Sequence, residues 1–292
     1  YYCLFLHGLF LLVGNHWIAG IWMQIVLQML GTVLLYLAMK KLTTRWASLL
    51  LLAYTLFSPS SIMMSITYSP QVLFYVIFSL GLFLFAHYLF YEDRLVENSL
   101  IMWTCTIGLG FFIGFTIYMD VTGSLLLIPG IYLFMRKNTI LTQKERIAQF
   151  FGIIGSAVVF FFVLLLLDSL FSKTSFTGVL HAWFVTYSSL EWNTGIITSN
   201  TTIDFLVSMV MICVGTLSFW RRKTTEYFTP FILFCLSISV FYVLGITTMN
   251  MDGSYLMHVL FAALASISIT ELFASEVIEK KDTEEIEVID LE

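Results

Sequence analysis

Residues that could do chemistry are concentrated between positions 168 and 204. The segment combines a lysine, a histidine and a glutamate with aromatic rings: Lys173, His181, Glu191, Trp183, Phe184, Tyr187 and Trp192. A cation and an imidazole can bind a phosphate, a carboxylate can act as an acid or base, and aromatic rings can stack on a sugar. The pattern predicts a surface for a charged, sugar-like or lipid-linked ligand. The alternative is an interfacial aromatic belt, in which Lys173 reaches lipid headgroups and Glu191 is an ordinary loop carboxylate.

Two further groups of polar residues lie outside this segment. Asp120 stands between two apolar runs, and a carboxylate near hydrocarbon is costly unless it faces water or a partner, so it is a functional candidate. The alternative is that Asp120 only caps the helix that starts at Val121. Asp252, Tyr255 and His258 precede or begin the last apolar run, where they could face the same cavity as Asp120. Turn chemistry explains Asp252 equally well, because Gly253 follows it.

Motifs of several enzyme classes are absent from the sequence. It contains no phosphate-binding loop with a lysine, no GxGxxG, no HExxH and no GxSxG, so ATPase, protease and hydrolase functions have no support. The four cysteines lie in apolar runs without a CxxC pair, which predicts small buried residues and neither a disulfide nor a zinc site. No cofactor is predicted, and a divalent metal is left open.

Composition places the chain among integral membrane proteins. Hydrophobic residues make up 59% of its 292 positions and charged residues only 11%, which is far from the usage of soluble domains. Nine carboxylates and only two lysines lie between Glu271 and Glu292, so the acidic charge is concentrated at the C-terminus. We therefore expect a membrane domain over residues 1–276 and a disordered acidic tail over 277–292.

The apolar runs predict an all-α, polytopic fold with about nine membrane crossings. Residues 1–13 are too few to span and predict an interfacial helix. The predicted crossings are 18–39, 46–68 with an interruption at Ser58 to Ser61, 71–90, 100–119, 121–135, 147–167, 203–220, 227–246 and 255–273. Gly110 and Gly114 form a GxxxG pattern that allows helices to approach closely.

The positions of the cations predict the orientation of the chain in the cell membrane. Placing every lysine and arginine except Lys173 in the cytoplasm satisfies the alternation of all nine crossings. The segment 168–204, which we expect to be a long loop, and Asp120 are then extracytoplasmic, and the acidic tail is cytoplasmic. The chain opens at Tyr1 without a methionine, so we expect it to be an internal piece preceded by at least one more crossing.

The order of these elements resembles the GT-C glycosyltransferases that use polyprenyl-phosphate sugars, in particular the protein mannosyltransferase and aminoarabinose transferase branch. The resemblance covers about residues 1–160. It rests on the interfacial helix followed by HWIAGIWMQIVLQMLGTVLLYLAMKKLTTRWASLLLLAYTLFSP, YSPQVLFYVIFSLGLFLF and GLGFFIGFTIYMDVTGSLLLIPGIYLF. Three positions differ from the family pattern, which often has an acidic residue at Gln71, a basic residue at Asp120 and an arginine at Ser254.

The resemblance implies transfer of a sugar from a lipid phosphate to an acceptor on the outer face, with a carboxylate as general base. That carboxylate normally precedes the interfacial helix, so we expect it upstream of Tyr1. The expected partners are the lipid-linked sugar donor and membrane lipids, and no nucleic acid. The alternatives are a transporter or lipid flippase that uses the interrupted helix, and a noncatalytic membrane subunit whose acidic tail recruits a partner.

Overall fold

The computed structural model describes residues 2–13, 17–42, 45–58, 61, 62, 65, 70–95, 99–131 and 142–188, together with positions 210, 213, 259, 262, 263, 266 and 267. Every regular element in these residues is a helix, which confirms the all-α prediction. The elements are α1 (Tyr2–Val13), α2 (Trp17–Leu42), α3 (Arg45–Phe57), α4 (Pro70–Leu95), α5 (Ser99–Met119), a 3₁₀ helix (Val121–Ile131), α6 (Gln143–Ser172) and α7 (Phe176–Ser188).

Within the described residues, four helices are long and apolar enough to cross a membrane. They are Trp17–Leu42, Gln71–Leu89 within α4, Ser99–Met119 and Gln143–Ser172, and each matches a predicted crossing. With 30 residues, α6 is about 45 Å long, which exceeds the roughly 30 Å of a hydrocarbon core. One or both of its ends must therefore extend into the polar region of a bilayer.

Side-chain contacts determine the relative directions of the helices. Thr32 contacts Tyr75 at 3.2 Å and Lys41 contacts His87 at 2.9 Å, so α2 and α4 run parallel. Tyr88 contacts Thr106 at 2.9 Å, and a Cβ atom at Gly81 would lie 3.0 Å from Phe112, so α5 is antiparallel to α4.

The α6 helix runs parallel to α5. A Cβ atom added at Gly110 would contact Ile153, and one added at Gly152 would contact Trp103. The later residue of α5 thus faces the later residue of α6, as in two parallel helices. Consequently α2 and α4 end, and α3, α5 and α6 begin, at the same end of the bundle. We call this the basic end, because it contains Lys40, Lys41, Arg45, Arg94, Lys144 and Arg146. Asp120 and Lys173 lie at the opposite end.

The α4 helix forms the centre of the bundle. Its side chains Phe74, Tyr75 and Phe85 are almost completely buried. In its most apolar stretch of 18 residues 67% of the residues are buried, compared with 17% in the corresponding stretch of α6. The exposed face of α6 is apolar and includes Val159, Phe162 and other large side chains. Such a face suits contact with lipid, because exposed apolar surface of this extent is unusual in water.

A stripe from the last predicted crossing joins the same core. Val259, Ala262, Ala263 and Ile267 are helical and buried against the other helices, with the spacing of one helical face. The predicted crossings 203–220 and 227–246, the rest of 255–273 and the tail 277–292 lie outside the described residues, apart from the helical positions Val210 and Cys213.

The GxxxG pattern predicted a close approach to another helix, and the structure shows that this helix is α6. A Cβ atom at Gly110 would lie 2.5 Å from the Ile153 carbonyl oxygen, and one at Gly114 would overlap the Ala157 carbonyl oxygen. The rings of Phe111 and Phe160 stack beside them at 4.9 Å. The backbones therefore approach so closely that only glycine fits at these two positions.

Three predictions about local structure need correction. Residues 121–135 were expected to form an α-helical crossing, but Val121–Ile131 is a 3₁₀ helix that contains Pro129 and is about 22 Å long at 2.0 Å per residue. The segment 168–204 is not a loop throughout, because it begins inside α6 and contains α7. Cys105 and Cys213, expected to be buried, are exposed free thiols.

Candidate functional site

Asp120 lies in the turn that joins α5 to the 3₁₀ helix. Its amide donates to the Thr116 carbonyl at 3.0 Å, and its own carbonyl accepts from the Gly123 amide at 2.9 Å. The side-chain oxygen Oδ1 accepts from the amide and the hydroxyl of Thr122, at 2.9 and 2.7 Å. Asp120 is therefore a helix cap, as the alternative interpretation predicted, although the helix that it starts is 3₁₀.

The Asp120 carboxyl also connects this turn to α4. It forms a hydrogen bond with the side chain of Gln71, which lies in the first turn of α4. Burial raises the pKa of the Asp120 carboxyl above its usual range, while the hydrogen bonds with Thr122 and Gln71 act in the opposite direction. The carboxyl is thus partly buried where α5, the 3₁₀ helix and α4 meet. A cap would not need the contact with α4, so this contact is additional to the capping role.

A second polar contact lies on the other side of α5. The hydroxyl of Tyr118 hydrogen-bonds to the Asp168 carboxylate on α6, and the Tyr118 carbonyl accepts from Trp183 Nε1 at 3.4 Å. The Trp183 indole also packs edge-on against Phe161, with ring centroids 4.9 Å apart. The end of α5 is therefore bracketed by two carboxylates, Asp120 toward α4 and Asp168 toward α6.

A tight turn after α6 sets the direction of α7. Lys173 has φ 54° and ψ 27°, the left-handed conformation that a non-glycine residue rarely adopts. The Ser169 hydroxyl donates to the Thr174 carbonyl at 2.6 Å, and the Ser175 hydroxyl accepts from the Gly178 amide at 3.1 Å. These bonds hold the turn so that α7 folds back and brings Trp183 against α5 and α6.

The predicted site residues have different outcomes. Lys173 and His181 lie at the same end of the bundle as Asp120, and both are exposed, but neither side chain forms a hydrogen bond or ion pair with another described residue. Trp183 is built into the packing of α7, which favours its structural interpretation over stacking on a ligand. The remaining candidates, Glu191, Trp192, Asp252, Tyr255 and His258, lie outside the described residues and stay predictions.

The structure adds three residues that the sequence analysis did not place in the site: Gln71, Tyr118 and Asp168. Gln71 had appeared only as a departure from the family pattern. Tyr118 and Asp168 carried no signal beyond their positions, two residues before Asp120 and at the start of the segment 168–204. Within the described part of the chain, no three residues among His, Cys, Asp and Glu are grouped so that they could hold a metal ion.

The Tyr118–Asp168 contact can be tested by removing one hydroxyl. We expect Tyr118→Phe to lower the free energy of unfolding by about 1 kcal/mol, because Asp168 loses a hydrogen-bond donor. The measurement is the midpoint of thermal unfolding in detergent micelles. The control is Tyr36→Phe in α2, since the Tyr36 hydroxyl has no hydrogen bond to another described residue. Equal shifts in the two variants would show that the contact contributes nothing.

No protein-family model matches the chain, and no match is found among curated proteins or among solved structures. The chemistry of the site is therefore judged from its geometry. At one end of the bundle this geometry offers a partly buried carboxyl with an amide neighbour, a tyrosine–carboxylate pair, and an exposed lysine and histidine.

Proposed function

We propose that the chain is part of a membrane glycosyltransferase that moves a sugar from a polyprenyl-phosphate donor to an acceptor on the extracytoplasmic face. In this reaction the bond between the sugar and the lipid phosphate breaks, and the acceptor forms a new bond to the same carbon. The acceptor's proton passes to a general base, and the lipid phosphate leaves. The end of the bundle that contains Asp120 forms the active face.

The observation that carries this proposal is the position of the Gln71 side chain beside the Asp120 carboxyl, close enough to lower its pKa. The GT-C pattern often has an acidic residue at the position of Gln71 and a basic residue at the position of Asp120. Two such residues would form an ion pair if they were in contact. The two residues are 49 positions apart in this sequence and lie on different elements. Their contact supports the match of the elements to the GT-C pattern, with a neutral amide and a carboxylate in place of the charged pair.

The distribution of cations supports the choice of face. Cytoplasmic ends of membrane helices are enriched in lysine and arginine. The basic end is then cytoplasmic, and the Asp120 end is extracytoplasmic together with Lys173 and His181. About nine crossings, with the acidic tail in the cytoplasm, complete this arrangement.

The residues of this end have complementary roles toward such a donor. A carboxylate repels a phosphate but accepts hydrogen bonds from sugar hydroxyls, so Asp120 binds the sugar, in the orientation that Gln71 and Thr122 hold. Lys173 and His181 are the donors available to the phosphate. The resemblance implies a carboxylate as the general base of this reaction.

The test is reconstitution of the full-length protein in liposomes with a polyprenyl-phosphate-linked sugar. We expect free polyprenyl phosphate to accumulate when an acceptor is supplied, measured by mass spectrometry of the extracted lipids. Liposomes without protein give the background rate. Absence of release above that background, with a folded protein and several donor sugars, would contradict the proposal.

A transporter or flippase is the second candidate, because polar side chains in the middle of α2 contact the segment that follows α3. The Gln28 side chain Nε2 donates to the Ser61 carbonyl at 2.9 Å, and also to the Ser61 hydroxyl. Gln24 and Thr32 are buried on the same face of α2. The chain leaves the helix at Ser58, and polar groups beside an interrupted helix are typical of transporter binding sites. Solute uptake or lipid translocation in the same liposomes, without release of polyprenyl phosphate, would favour this function.

A further inference from the structure

The described long helices form two units of the same design. In each unit two long helices run parallel and a shorter element returns between them: α2, α3 and α4 in the first unit, and α5, the 3₁₀ helix and α6 in the second unit. With 13 and 11 residues, α3 and the 3₁₀ helix are each about 20 Å long, which is less than the roughly 30 Å of a hydrocarbon core. Since α2 and α4 run toward the basic end and α5 and α6 run away from it, the second unit is inverted relative to the first.

The two long helices of each unit approach each other at the level of their backbones. A Cβ atom at Gly31 of α2 would lie 3.4 Å from the Val76 Cα atom of α4. Likewise, a Cβ atom at Gly110 of α5 would lie 2.5 Å from the Ile153 carbonyl oxygen of α6. The facing residues are 45 positions apart in the first unit and 43 positions apart in the second. A glycine of the first long helix thus lets the second one approach closely in both units, and this tight packing holds each unit together as one body.

The two units contact each other through side chains at the centre of α4. A Cβ atom at Gly81 of α4 would lie 2.6 Å from a methyl carbon of Leu126 and 3.0 Å from the ring of Phe112, both in the second unit. Side chains can change rotamer, so helices that pack through side chains can slide or tilt by small amounts. The surface between the units is therefore easier to rearrange than the backbone contacts inside each unit.

Polar contacts join the units on both sides of Gly81. At the outer contact the Gln71 side chain lies beside the Asp120 carboxyl. At the inner contact, nearer the basic end, the Tyr88 hydroxyl lies 2.9 Å from the Thr106 hydroxyl. Gln71 precedes Gly81 by ten residues and Tyr88 follows it by seven, so the two contacts lie about 15 and 10 Å from Gly81 in opposite directions along α4. A tilt about Gly81 therefore opens one contact and closes the other.

We propose that the two units are inverted structural repeats that rock against each other about Gly81, so that the outer and the inner contact open alternately. Inverted repeats of membrane transporters commonly move as rigid bodies in this way. A rotation of about 15°, the size known for rigid bodies that turn about an interface, moves the position of Gln71 by about 4 Å. Opening of the outer contact exposes Asp120, so the motion controls access to the residue proposed above to bind the sugar. The motion itself rests on neither of the proposed functions.

The test measures distances between the units in the full-length protein in phosphatidylcholine nanodiscs. Pairs of introduced cysteines carry nitroxide spin labels, serine replaces the four native cysteines, and pulsed electron paramagnetic resonance gives the distances. All labelled positions are exposed in the structure. The outer pair is Trp22 with Leu170, across the units toward the Asp120 end; the inner pair is Leu37 with Ile147, across the units toward the basic end; and the control pair is Phe115 with Leu170, within the second unit.

Removing one contact should open its own end and close the other. Gln71→Ala removes the outer contact, and we expect it to lengthen the distance of the outer pair by about 4 Å and to shorten that of the inner pair. Tyr88→Phe removes the hydroxyl of the inner contact, and we expect the opposite changes: a longer distance in the inner pair and a shorter one in the outer pair. These reciprocal changes support the rocking motion.

The control pair should keep its distance in both variants, because the second unit moves as one body. Tyr36→Phe is the matched control variant, since the Tyr36 hydroxyl has no hydrogen bond to another described residue, and it should leave all three distances unchanged. A change confined to the mutated end, or no change in either variant, would overturn the rocking motion. A shift of the control pair as large as that of the outer pair would overturn the rigid units. The unfolding midpoint shows that each variant is folded, and each variant tests the motion by itself because the two act at opposite ends.

Discussion

Replacing Asp120 with asparagine lowers the rate of polyprenyl phosphate release by about 10- to 100-fold while the protein remains folded. Asparagine retains an Oδ1 acceptor for the Thr122 amide and hydroxyl, so the cap of the 3₁₀ helix persists. What the substitution removes is the charge. Hydrogen bonds to charged groups contribute about 1.5 to 3 kcal/mol, and each 1.4 kcal/mol corresponds to a factor of ten. The rate is measured in the reconstituted system, and folding by the unfolding midpoint.

Glu145→Gln is the control for this experiment. Glu145 is also a carboxylate that stabilises a helix start, through its capping box with Thr142, but it lies at the basic end. Glutamine supports the same capping box, so both the rate and the stability should stay at their wild-type values. An unchanged rate in Asp120→Asn would leave Asp120 with its capping role alone and remove it from the functional site.

Adding a side chain at either glycine of the α5–α6 interface produces the largest expected loss of stability. At Gly110 and Gly114 even a Cβ atom would overlap atoms of α6, including Ser156 and the Ala157 carbonyl. Overpacking of this kind costs about 1 to 3 kcal/mol or more, because the helices must separate. We expect Gly110→Leu and Gly114→Leu to lower the unfolding midpoint by about 2 to 4 °C for each kcal/mol lost.

Two other glycines of the same helix pair provide matched controls. A Cβ atom at Gly108 in α5 or Gly155 in α6 would have no neighbouring atom within 4 Å. Leucine has a higher helix propensity than glycine, so Gly108→Leu and Gly155→Leu should leave the midpoint unchanged or raise it slightly. A similar fall of the midpoint in all four variants would show that the close approach of α5 and α6 is not what the glycines provide.

The sequence alone was sufficient for the class of the protein, the helical nature of its elements and most helix boundaries in the described part. Transfer of long apolar runs into a bilayer depends on local composition, and proline or charged residues end such runs. The end of α3 at Phe57, the start of α4 at Pro70 and the end of α5 at Met119 were therefore predictable. The GxxxG pattern also predicted its contact, because only small residues let two backbones approach so closely.

The tertiary structure alone determined which polar side chains meet. Helices that are apolar on nearly every side give no periodic signal for the face that each one buries, so the pairing of Gln71 with Asp120 and of Tyr118 with Asp168 could not be predicted. The 3₁₀ geometry after Asp120 was unpredictable for a related reason, since composition distinguishes a 3₁₀ helix poorly from an α-helix. Local apolar composition thus determined where helices form, and the rotation of each helix against its neighbours determined which groups share a site.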